Sequence, residues 1–166
     1  MRAIETMTGN EEAADSREQG GPESARLHLV KLSVGADSIE TLRAWQRDRR
    51  RRFGKLFHRT RMMPRRADEL LEGGSIFWVI KGLVRCRQRL IAFEATADEQ
   101  GPATHFILDP ELVPTWPVPW RAFQGWRYLR PEQAPPDLER ALGHVEGDVA
   151  EMPPEMLVEL RQLGLL

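Results

Sequence analysis

Arg85, Arg87 and Arg89 alternate with Val84, Cys86 and Gln88 in the stretch VRCRQRLIAF. A strand projects alternate residues to one face, so period two predicts a row of three guanidinium groups roughly 6–7 Å apart. Such a row suits phosphates, and arginine with aromatic neighbours suits single-stranded nucleic acid, where bases stack on rings. The aromatic candidates are Trp78 in the preceding apolar run and the cluster Trp126-Arg127-Tyr128. Lys81, Arg65 and Arg66 lie close in sequence and complete the expected interface. On this parity Gln88 faces inward and needs a hydrogen-bond partner there.

Other chemistry has less support. His28, His58, His105 and His144 show no HxH or HxxxH spacing, and Cys86 is the only cysteine, so no metal site is expected. Cys86 falls on the inward parity, where a thiol is usually inert. Gly73-Gly74 follows a helical pattern, whereas phosphate-binding glycine loops precede a helix. Asp68 and Glu69, or Asp109 and Glu111, could supply carboxylates but have no identifiable partner. No catalytic residue and no cofactor is expected.

The net charge of −1 conceals an uneven layout. Residues 43–66 hold eleven basic residues against Asp48 alone, while residues 97–166 hold five arginines against twelve acids. The run Arg47 to Arg52 exceeds what a helix C-terminus needs for its dipole, and its repulsion calls for an acidic partner, internal or external.

Residues 1–24 are rich in Glu, Gly and Ser without apolar periodicity, and read as a disordered acidic tail. Residues 25–166 then form one domain. Alternation from Arg26 predicts a strand, with Leu27, Leu29 and Lys31 on one parity. Asp37 or Ser38 caps a helix running to about Arg52, with Ile39, Leu42 and Trp45 (or Gln46) inward. Further expectations are a short strand over 57–63, a short helix ended by Gly73-Gly74, a buried strand over 75–81 and the arginine strand. Beyond these come a strand at 105–108, an extended Trp116–Trp120, a strand over 122–129 and a helix at 137–142. A last helix after Pro153-Pro154 carries an apolar stripe of Met156, Leu157, Leu160 and Leu163. The longest apolar run cannot cross a bilayer, no signal-like h-region follows Met1, and a single cysteine suits a reducing cytoplasm.

TRMMPRRADELLEGGSIFWVIKG (60–82), RQRLI (87–91), LDPELV (108–113) and FQGWRYL (123–129) resemble an uncharacterised bacterial family, domain of unknown function 1489, as do LHLVKLSVG and LRQLGLL near the two ends. The resemblance covers about residues 27–166 and implies no activity. The order of helix, glycine break, apolar strand and polar strand also resembles small pseudo-barrels of the PUA, ASCH and EVE type, many of which bind RNA or modified bases. That likeness is one of fold alone.

The expected architecture is therefore α+β: a small, mostly antiparallel, partly closed sheet flanked by helices. The leading function is non-catalytic binding of single-stranded RNA or a modified base. The alternatives are a protein-interaction module whose basic 43–66 segment docks an acidic partner, or a hydrolase or transferase of small substrates.

Overall fold

Apolar alternation and tight turns give seven strands and four α-helices among the residues that a computed structural model describes, namely Ala25, residues 27–143 and residues 152–164. The expected tail, Arg26 and His144 lie outside the described residues. The strands are β1 (His28–Leu32), β2 (Phe57–Thr60), β3 (Ser75–Ile80), β4 (Leu83–Asp98), β5 (Gly101–Leu108), β6 (Val113–Pro119) and β7 (Trp126–Leu129). The helices are α1 (Ile39–Phe53), α2 (Ala67–Leu70), α3 (Leu138–Leu142) and α4 (Pro154–Gln162). None is long and apolar enough to cross a membrane.

The sheet runs β2-β5-β4-β3-β1-β7, with β6 beside the first half of β4. Five of the six strand pairings are antiparallel, and β1 pairs with β3 in parallel. The parallel pair was not expected. It arises because the connection between β1 and β3 holds a whole helix, long enough for a crossover. The strand order is open, and no ladder joins β2 to β7. Rings nevertheless meet across it, with Phe106 of β5 6.3 Å from Trp126 of β7.

Two apolar clusters lie on opposite faces of the central strands. One holds Leu27, Leu29, Ile76, Trp78, Ile80, Cys86 and Leu90, covered by Ile39 and Leu42 of α1. The other holds Val30, Phe77, Val79, Val84 and Leu129. Val84 and Cys86 therefore face opposite ways, against the expected parity. A β-bulge is the reason. Val79 pairs with Val84 and Trp78 with Cys86, which leaves Arg85 as an extra residue on β4 and breaks the two-residue alternation. Lys81 and Gly82, both at positive φ (49° and 79°), form the two-residue turn that sets this register.

The glycine break behaves as its composition demands. Gly73 has φ 90°. Gly74 leaves no room for a side chain, since a Cβ there would lie 2.3 Å from the Leu70 carbonyl oxygen and 2.5 Å from that of Leu27. The stripe expected on α4 is not buried as a unit: Leu157 is enclosed, whereas Met156 and Leu163 are exposed. The helix instead reaches β6 partly through Arg161, whose guanidinium lies 5.1 Å from the Trp116 ring.

Candidate nucleic-acid interface and the cavity beside α1

The expected interface residues are divided between the two faces of the sheet. Cross-strand partners share a face. Lys31 pairs with Trp78 on one side and Trp126 on the other, so these three point together, and Leu29 brings Tyr128 to the same face. Arg87 pairs with Phe77 and Arg127 with Val30, which point to the opposite face. The register therefore separates Arg87 and Arg127 from Trp78, Trp126 and Tyr128, whereas the Arg66 guanidinium lies 5.6 Å from the Tyr128 ring.

Several of those arginines are also engaged. Arg87 donates to both Asp137 carboxylate oxygens (2.7 and 2.9 Å) and to Ser75 Oγ (3.1 Å) in a partly buried site. Arg127 lies 4.8 Å from the Phe123 ring. Arg66 forks onto Glu69, and its backbone N–H donates to the Tyr128 hydroxyl. Trp78 is buried. Arg65, Lys81 and Arg89 are exposed and Arg85 is half-buried, with no ion pair to any of the four among the described residues.

Gln88 receives the partners its buried position requires. Its amide exchanges two hydrogen bonds with Gln46 of α1, each 2.7 Å. Its oxygen also accepts from Trp78 Nε1 at 2.9 Å, and its nitrogen donates to the Asp109 carbonyl at 3.0 Å. Both donors and both lone pairs are thereby used. This network pins α1 to the sheet through Gln46 and holds Trp78 in one orientation.

Helical spacing then sorts the rest of α1 around that anchor. At about 100° per residue, Arg43, Arg47 and Arg50 fall to one side of the Ile39–Leu42–Gln46 line and Trp45 and Arg49 to the other, while Phe53 continues the line at the exposed end of the helix. Each side borders a concavity. The first, about 430 Å³, is lined by Arg43, Arg47, Arg50, Glu111 and Leu112. The second, about 230 Å³, is lined by Lys31, Trp45, Arg49, Phe57, His58 and Trp78, with Leu42 and Leu108 among its apolar walls. Trp45 is 49% exposed and Phe53 58% exposed.

The second cavity is electrostatically unbalanced. Two cations line it, and no carboxylate does among the described residues. Burial lowers the pKa of Lys31. His58 is pushed down to about 4, mainly by burial and then by the charges of Lys31 and Arg49, so its imidazole is neutral at pH 7. His58 Nε2 is buried without a hydrogen-bond partner among the described residues, and the ring stands edge-on to Trp78 at 5.4 Å. Arg49 donates to the Phe57 carbonyl at 3.3 Å and forms no ion pair among the described residues.

Of the eleven basic residues between 43 and 66, Arg52, Lys55, Arg59 and Arg66 form ion pairs with Asp48, Glu94, Asp98 and Glu69. Arg43, Arg47, Arg49, Arg50 and Arg51 form none among the described residues. Among the described residues internal neutralisation is therefore partial, and α1 carries five arginines outside any ion pair. Cys86 is buried, and burial pushes its thiol up to about 12, so it is no thiolate at neutral pH.

Sequence reasoning did not single out Lys31, Trp45 or His58, which line the second cavity. A lysine on the inward parity of β1 was the legible signal, because a desolvated cation needs a reason to be there. No curated protein and no solved structure matches the chain. The model of a family described as protein of unknown function, DUF1489, matches residues 29–166, and the chain belongs to that family.

Proposed function

We propose that this chain is a non-catalytic module that binds single-stranded nucleic acid along α1. The observation that carries this is the set of five arginines on one helix without ion pairs among the described residues, beside two exposed rings and two concavities. Arg43, Arg47 and Arg50 follow the backbone phosphates, and Trp45 and Phe53 offer stacking surfaces. A stacking platform beside a cavity favours unpaired bases over a duplex, whose bases are already stacked. The class of function is the one expected from the sequence; the surface is α1 in place of β4.

The test is equilibrium binding of a short single-stranded RNA, followed by tryptophan fluorescence or anisotropy over a salt series. With three phosphate contacts, log K should fall with log salt with a slope near −2, about 0.7 per contact. Trp45→Leu should weaken binding while leaving that slope unchanged, because stacking releases no counterions. Absence of binding at low salt, or capture of an acidic polypeptide in preference to RNA, would replace this reading with that of a protein-docking helix.

A further inference from the structure

The cavity between α1, β1 and β2 asks for something α1 alone does not explain. Among the described residues, half-buried Lys31 has no ion pair, exposed Arg49 lines the same cavity with no ion pair, and His58 Nε2 has no hydrogen-bond partner. Half-burying the Lys31 ammonium without a counter-charge is unfavourable, and an anion held between it and Arg49 would relieve it. The walls add Trp45, Phe57 and Trp78. Anion and flat ring together describe a nucleotide. At about 230 Å³, the space is below the roughly 300–1,000 Å³ of pockets that enclose drug-sized ligands, so it holds one compact group.

We propose that this cavity takes a nucleotide phosphomonoester, with Lys31 and Arg49 binding the phosphate and exposed Trp45 stacking the attached base. The assignment extends the strand-binding reading to the end of the bound strand. An internal phosphodiester carries a single charge and continues in both directions, so it would have to enter and leave through the same mouth. A terminal phosphate ends the chain and carries about −1.5 to −2 at pH 7. It also offers His58 a partner of either polarity, since the ring nitrogen can donate to it or accept from a protonated oxygen.

The experiment compares one single-stranded RNA carrying a 5′-monophosphate, a 3′-monophosphate or hydroxyls at both ends, with adenosine monophosphate as a separate probe. One phosphorylated end should raise affinity about tenfold over the hydroxyl-ended strand, the effect of one charge-assisted contact. Lys31→Met should abolish that preference while leaving hydroxyl-ended RNA within about twofold of wild type. Binding of adenosine monophosphate that Lys31→Met removes, without binding of any RNA, would keep the phosphomonoester site and defeat the strand-binding reading. Equal affinity for all three RNAs, with no response to adenosine monophosphate, would overturn the site and leave strand binding intact. The comparison among RNAs uses wild-type protein alone, so it is decisive even if the variant fails to fold.

Discussion

Helix α1 and strand β4 each carry a dense set of arginines, and the fold treats the two sets in opposite ways. On β4 the row is dismantled. Arg85 is displaced by a bulge, Arg87 is held by Asp137 from fifty residues away, and only Arg89 is left fully at the surface. On α1 the side toward the sheet is occupied by Ile39, Leu42 and Gln46, while arginines flank that line on both sides. The difference teaches that charge density along a sequence is not free charge. In a sheet, neighbouring elements run within reach of every side chain and can supply an acid. A helix with one side docked offers its flanks to whatever comes from outside.

The largest expected effect removes both regions together. Gly74→Val drives a branched side chain into the carbonyls of Leu70 and Leu27, so it should cost more than about 4 kcal/mol and be visible as a loss of cooperative unfolding. Gly73→Ala meets only φ strain and should cost about 1–2 kcal/mol by the same denaturant titration.

A smaller effect tests whether the α1 cavity is as dry and cationic as its lining implies. His58 has a folded pKa of about 4, below the ordinary value near 6.5, so the unfolded chain takes up the proton first. Its stabilising contribution is complete above pH 6.5 and is lost as pH falls toward 4. The loss should be about 2 kcal/mol between pH 7 and pH 5, and His58→Phe should flatten that part of the profile. A wild-type profile as flat as that of the variant would mean a solvated ring.

The smallest effects separate the two arginine sets. Arg87→Gln leaves a partly buried Asp137 unmatched and should lower stability by about 1–2 kcal/mol with RNA affinity unchanged. Arg47→Gln should do the reverse, with stability within about 0.5 kcal/mol of wild type and affinity reduced.

Much of this fold was legible. The Ser38 cap, the inward pair Ile39 and Leu42, the all-buried β3 and the need of Gln88 for a partner all follow from local rules of capping, periodicity and polar satisfaction. The illegible parts depend on distant segments. Parallel pairing of β1 with β3 is decided by where the chain returns. The bulge at Arg85 is decided jointly by the Lys81-Gly82 turn, by β3, and by a partner strand, β6, that carries three prolines. The choice between Trp45 and Gln46 as the inward residue of α1 could be settled only by Gln88, forty-two residues away. The site was obscured for the same reason: Lys31, Arg49 and His58 come from three elements that no local pattern links.

The central claim is that α1, and not β4, carries the binding charge. Two variants of matched chemistry test it directly: Arg43, Arg47 and Arg50 changed together to Gln, and Arg85 and Arg89 changed together to Gln. Both sets leave the Arg87–Asp137 pair and the Gln46–Gln88 network in place. For a short single-stranded RNA, the first variant should reduce the slope of log K against log salt by about 2, roughly 0.7 per lost contact, and the second should leave it unchanged. A slope reduced by the β4 variant and untouched by the α1 variant would contradict the account.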